Sequence, residues 1–122
     1  MPYADTDFLM ALIKPSDWLK QDAEQFLRKY NGSLWTSPVA IIESLLVIRK
    51  FGMDAKEVVV SLYELVDVPL MNRETALAAA SFIQDEGMNV FDAFHAAFAM
   101  NDFIISSDDV FEKAGLRRIA LK

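Results

Sequence analysis

Four acidic residues lie where a carboxylate is either costly or chemically useful. Asp5 and Asp108 each follow a short apolar run that predicts a buried strand, whereas Glu43 and Asp92 have mainly apolar neighbours on predicted helices. Unpaired carboxylates rarely stay buried, because leaving water is costly for a charge, so each needs a partner. Oxygen ligands without cysteine or several histidines suit Mg²⁺ or Mn²⁺. The chemistry implied is metal-assisted attack of water on a phosphodiester.

The same acids also have ordinary structural interpretations. Asp5 is compatible with a turn, and Asp108 with the first turn of a helix, where acids suit the helix dipole. No lysine or arginine lies near Glu43 before Arg49, or near Asp92 on its own helix, so neither has an obvious partner. The residues alone therefore leave a metal site and a structural role open.

Alternating strands and helices must position these acids. Strands are predicted just before Asp5 and at 34–36, 66–70, 103–105 and 118–121, while residues 58–60 fit either a strand or a helix. Helices are predicted after the cap residues Ser16, Ser37, Asp54 and Asn72, and two further helices are predicted to begin at Asn89 and Asp108. The pattern predicts one α/β domain over 1–122, with a mostly parallel central sheet flanked by helices. In such a sheet, ligands bind at the carboxyl ends of the strands.

The composition narrows the function classes. The chain has 122 residues, no cysteine, one histidine and 53% hydrophobic residues, which excludes a disulfide scaffold, a cysteine zinc site and disorder. There is no apolar run long enough for a membrane span and no signal peptide pattern, so we expect a cytoplasmic protein. A net charge of −6 argues against a basic protein that coats nucleic acid through its positive charge. It does not exclude RNA binding at a pocket where the acidic residues hold cations, because the cations would neutralise the local charge.

Four segments, taken in order, are similar to the motifs of a known family. They are residues 3–9 (YADTDFL), 36–43 (TSPVAIIE), 92–97 (DAFHAA) and 104–111 (IISSDDVF). Together they resemble the PIN domain, and in particular the small ribonucleases that act as toxins of the VapBC type. The resemblance extends over essentially the whole chain.

The resemblance implies a set of site residues. Asp5, Glu43 and Asp92 match the three core acids of the family, and Asp108 matches the fourth. The spacing to a following phenylalanine makes Asp109 a less suitable occupant of that fourth position. Two further residues, Ser106 and Asp7, stand where the family more often has threonine and asparagine. The extra charge of an aspartate at position 7 is expected to alter metal affinity or the number of ions bound.

The resemblance also implies an activity and partners. We expect an endoribonuclease that requires Mg²⁺ or Mn²⁺, leaves 5′-phosphate and 3′-hydroxyl ends, and forms a homodimer. A toxin would further have a cognate antitoxin that obstructs the acids. PIN domains also act in RNA processing and decay, and an inactive scaffold that binds a protein is another possibility. Asp5-Thr6-Asp7 is reminiscent of the nucleophile motif of haloacid dehalogenase-type phosphatases, but the chain is short and has no convincing later lysine motif.

Other residues have both a functional and a structural interpretation. His95 follows Asp92 by three positions and would assist the substrate or orient Asp92, although a packed helix histidine is the commoner case. Nine phenylalanines and six methionines predict some exposed apolar surface for a dimer or an antitoxin. Basic residues that could hold RNA phosphates, or simply keep the surface solvated, are Arg49, Lys50, Lys113, Arg117, Arg118 and Lys122.

Overall fold

A computed structural model describes residues 1–122 as three parallel strands and seven helices, and six of the helices lie between the first and the second strand rather than in the predicted strict alternation. The strands are β1 (Tyr3–Ala4), β2 (Phe103–Ser106) and β3 (Arg117–Ala120). The helices are α1 (Thr6–Ile13), α2 (Lys20–Lys29), α3 (Pro38–Ile48), α4 (Ala55–Leu65), α5 (Arg73–Glu86), α6 (Val90–Ala99) and α7 (Val110–Lys113). The predicted α/β fold is confirmed.

The sheet is entirely parallel, in the order β1-β2-β3, and pairs Tyr3 with Ile104 and Ala4 with Ile105. Two predicted strands, 34–36 and 66–70, are reduced to single bridging residues: Trp35 pairs with Tyr3 on one side and with Asp67 on the other. The neighbouring backbone still donates across both bridges, from Ala4 N to Trp35 O (2.7 Å) and from Thr36 N to Asp67 O (2.9 Å). These segments thus extend the sheet edge beyond β1 without forming strands.

Local chemistry explains most helix boundaries. Ser37, Asp54 and Asn72 each accept a backbone N–H of the first helical turn, as predicted for N-caps, and Asn89 caps α6 in the same way. The valine run at 58–60 is helical, because Val58 and Leu62, four residues apart, both face the core. Gly87 ends α5 in the left-handed region (φ 68°), where a side chain would be strained.

The predicted start of α2 at Ser16 is wrong. The helix begins at Lys20, because residues before it form a turn held by Asp17. Lys20 N donates to Asp17 O (3.0 Å), and the Asp17 carboxylate accepts Leu19 N (2.9 Å). The Asp17 side chain therefore caps a turn ahead of the helix, and the three residues 17–19, which the prediction made helical, lie outside the helix.

The core has two parts, one on each face of the sheet. Because strand side chains alternate in direction, Ala4 and Ile105 face one side, whereas Tyr3 and Ile104 face the other. Helices α1 to α4 cover the first face, and the alanine-rich pair α5 and α6, with α7, covers the second. None of the helices is both long and apolar enough to cross a membrane. The carboxyl ends of β1 and β2 are left open between the two layers.

Candidate metal centre

Five of the predicted acids line one cleft at the carboxyl ends of the strands. The cleft has a volume of about 410 Å³, and the acids are Asp5, Asp7, Glu43, Asp92 and Asp108. They come from the turn after β1, from α1, α3 and α6, and from the turn after β2. Residues 103 positions apart in sequence thus meet because the parallel sheet aligns the ends of its strands.

Asp5 is fixed by hydrogen bonds from both neighbouring segments. Its backbone N–H donates to Ile105 O (3.1 Å), Thr6 N donates to its Oδ1 (2.8 Å), and the buried Ser106 hydroxyl donates to its Oδ2 (2.6 Å). The predicted hydroxyl residue Ser106 therefore orients a site carboxylate rather than lining the cleft. A carboxylate held at both oxygens is preorganised to accept a cation.

Asp7 and Asp109 differ in placement. Asp7 Oδ2 accepts the backbone N–H of Ser107 (2.9 Å) and the Ser107 hydroxyl, while its buried Oδ1 has no hydrogen-bond partner. An unpartnered buried carboxylate oxygen is costly, and a cation is one group that would satisfy it. Asp109 lies outside the cleft, with its side chain 63% exposed and 3.6 Å from Lys113.

His95 has a larger role than its place on an apolar helix predicts. Its side chain is buried, and Nε2 lies 2.8 Å from Glu43 Oε1 and 3.4 Å from Asp5 Oδ1. Ligand atoms of these three residues all lie within 4.8 Å of one another. The partner of Glu43 is therefore a histidine on the helix of Asp92, rather than a lysine or arginine. The i, i+3 spacing from Asp92 was the available signal.

A buried chain of hydrogen bonds fixes the imidazole. His95 Nδ1 lies 2.6 Å from the Tyr3 hydroxyl, which lies 2.8 Å from Ser37 Oγ. Burial acts to lower the pKa of His95, but the hydrogen bond to Glu43 and the charges of the acids outweigh it and raise the pKa. Both ring nitrogens lie within hydrogen-bond distance of a partner, Nδ1 of the Tyr3 hydroxyl and Nε2 of Glu43. The carboxylates of the cleft are therefore the groups best placed to bind a metal ion.

The surroundings shift the pKa values of the acidic residues in different directions. Burial raises the pKa of Asp5 to about 7, against the positive charge of His95, and burial likewise raises the pKa of Asp7 and of Asp92. Burial also acts to raise the pKa of Glu43, but the hydrogen bond from His95 lowers it overall. Crowded, buried carboxylates with raised pKa values are typical of functional sites, and a bound cation would favour their charged forms.

These pKa shifts predict that the metal-free protein loses stability as pH rises from about 5 to 8. The pKa of Asp5 is about 7, well above the usual value for an aspartate, and the pKa of His95 is raised above that of a free imidazole. In both cases the folded state holds protons that the unfolded chain has released, so rising pH favours unfolding. Glu43, with its lowered pKa, opposes this trend only at lower pH.

Thermal melts in EDTA across this pH range would measure the effect. The melting temperature is expected to fall by several degrees between pH 5 and pH 8. Asp5→Asn removes the contribution of Asp5, so its profile should be flatter than that of the wild-type protein. A melting temperature that rises with pH in the wild-type protein would contradict the assigned shifts.

Comparison with known proteins agrees with this architecture. The PIN domain family model matches residues 3–116, and the chain therefore belongs to the PIN domain family. Membership in this family removes the basis for the phosphatase interpretation of Asp5-Thr6-Asp7. No curated protein sequence matches the chain closely enough to be informative.

Solved structures share the fold at low sequence identity. A VapC20 toxin from Mycobacterium tuberculosis, described as cleaving the sarcin–ricin loop, is 18% identical with a TM-score of 0.77, over 95% of this chain and 96% of that one. A toxin–antitoxin complex from Klebsiella pneumoniae is 16% identical with a TM-score of 0.72, over 89% of this chain and 88% of that one. VapBC2 from Rickettsia felis, bound to a promoter DNA fragment, is 14% identical with a TM-score of 0.69, over 100% of both chains. These similarities define the PIN fold.

Proposed function

We propose that this PIN domain protein is an endoribonuclease that depends on Mg²⁺ or Mn²⁺. The observation that carries the proposal is the convergence of five carboxylates from separate elements on one cleft at the end of a parallel sheet. Structural carboxylates are normally paired one by one, whereas these crowd together and include an unpartnered buried oxygen on Asp7. Membership in the PIN family supports the same interpretation.

The residues that would hold the cation are Asp5, Asp92 and Asp108, with Glu43 as a further ligand. A divalent cation supplies Lewis acidity, which activates water for attack on a phosphodiester and neutralises charge on the phosphate. Ser106 keeps the Asp5 carboxylate in place, and His95 does the same for Glu43. Asp7 adds a negative charge beside the site, whereas Asp109 points away from it.

The same proposal includes the role of a toxin with an antitoxin partner. Its support is that solved structures of similar fold are described as a toxin and as toxin–antitoxin complexes. We also propose that the chain forms a homodimer, which large exposed apolar side chains such as Leu77 and Val60 would favour. A small DNA-binding protein encoded just upstream would favour a toxin over an RNA-processing nuclease.

We expect purified protein to cleave unstructured RNA with Mg²⁺ or Mn²⁺ and to be inactive in EDTA. Products should carry 5′-phosphate and 3′-hydroxyl ends, because water would attack the phosphorus, the bond from phosphorus to the 3′-oxygen would break, and that oxygen would take a proton and leave as the 3′-hydroxyl. End-specific labelling of the fragments measures both features. Isothermal titration of the metal-free protein with Mn²⁺ provides an independent check. Absence of metal binding together with absence of cleavage on varied RNAs would favour the inactive scaffold.

A further inference from the structure

The proposed metal cleft has an apolar side as well as an acidic one. Four hydrophobic residues line it together with the acids, and they are Met10, Trp18, Leu19 and Val47. Met10 and Leu19 are buried and belong to the core, but the Trp18 side chain is 81% exposed. Single exposed apolar side chains are common on protein surfaces, but this indole lines the same cleft as the acids and is therefore accessible to a ligand that binds there.

Trp18 lies on a turn that is firmly held. Lys20 Nζ, from the first turn of α2, donates to Leu12 O and Lys14 O at the end of α1 (2.9 Å each). Asp17 forms an ion pair with Lys14 (2.7 Å) and accepts the N–H of Leu19. The residues on both sides of Trp18 are thereby fixed, so the indole is presented from a preorganised segment at little entropic cost on binding.

The charges of the cleft limit how RNA can bind there. Lys14 is the only lysine or arginine among the residues that line it, and its ammonium group is already paired with Asp17 and lies 4.7 Å from the centre of the Phe51 ring. Binding through phosphate contacts to basic side chains is therefore weak at this site. Stacking of a base on an aromatic ring does not depend on charge, and it tolerates any base.

We propose that Trp18 stacks against an unpaired base of the RNA substrate and thereby positions the neighbouring phosphodiester at the acids. The inference rests on the proposed ribonuclease function and adds a substrate-positioning residue to it. It predicts that the enzyme prefers single-stranded RNA, since a base held in a duplex cannot stack on the indole. The competing interpretation is that Trp18 contacts a protein partner rather than RNA.

Steady-state cleavage of a short single-stranded RNA in Mg²⁺ tests the role of Trp18. Trp18→Ala is expected to raise KM about tenfold with a smaller change in kcat, because stacking contributes to binding. Trp18→Phe should retain most of the affinity. Leu70→Ala is the matched control, since Leu70 is 92% exposed but lies outside the cleft. An unchanged KM in Trp18→Ala, measured with active wild-type enzyme, overturns the inference and leaves the ribonuclease proposal standing.

Fluorescence of the protein supplies a readout that does not require cleavage. The chain has two tryptophans, and Trp35 is held by hydrogen bonds to Met1 O and Asp102 (3.0 Å each) outside the cleft. Titration with single-stranded RNA should quench the wild-type emission, and Trp18→Phe, which keeps Trp35, should lose that quenching. If RNA leaves the wild-type emission unchanged, the indole is available to a protein partner instead and the inference is wrong.

Discussion

Replacing Asp5 by asparagine is expected to reduce RNA cleavage by at least about 10³-fold and to leave the protein folded. Asp5 is the buried centre of the acidic cluster, where it accepts hydrogen bonds from Thr6 and Ser106 and lies beside His95. Asparagine has nearly the same shape but no charge to offer a cation. The loss should therefore appear in the cleavage step rather than in folding.

Stability measurements separate these two effects. Because burial raises the pKa of Asp5 to about 7, its charged form is unfavourable in the folded metal-free protein at pH 8. Asp5→Asn should then melt at the same temperature as wild type or higher in EDTA, and it should lose much of the stabilisation that Mg²⁺ gives the wild-type protein.

Single-turnover cleavage rates and thermal melts with and without Mg²⁺ measure both quantities. Asp109→Asn is the matched control, because its carboxylate is exposed outside the cleft and should retain wild-type activity. Cleavage by Asp5→Asn within tenfold of the wild-type rate would exclude Asp5 as a metal ligand.

Much of the candidate site could be predicted from the sequence because its acids follow local signals. Asp5 and Asp108 come directly after apolar strands, and a parallel sheet brings the ends of such strands together. Glu43 lies on a helix whose start is fixed by Ser37-Pro38. In each case the deciding interactions lie within a few residues, so a sequence pattern is sufficient to place the residue.

Other features depend on contacts between distant parts of the chain. Trp35 forms only single bridges to Tyr3 and Asp67, and both partners lie more than thirty residues away in sequence. The role of His95 depends on Glu43 and Tyr3, which are 52 and 92 positions away in sequence. No local pattern reports such contacts, and a single histidine on an apolar helix therefore suggested ordinary packing.

Replacing His95 is expected to reduce both the stability of the protein and the rate of RNA cleavage. His95→Ala is expected to lower the free energy of unfolding by about 3 kcal/mol and cleavage by about 10²-fold. The substitution leaves the Tyr3 hydroxyl without its nearest partner, opens a cavity in a fully buried position, and removes the positive charge beside Glu43 and Asp5. Urea denaturation and single-turnover kinetics measure the two losses.

Tyr3→Phe helps to identify the cause of those losses. It removes the hydroxyl that holds Nδ1 but leaves Nε2 donating to Glu43, so it should cost about 1 kcal/mol and change cleavage much less. If His95 acts by positioning Glu43, excess Mg²⁺ will not restore the rate of His95→Ala, because the carboxylate still lacks its donor. Full recovery in excess Mg²⁺ would instead mean that the imidazolium serves only to neutralise charge until a cation takes that role.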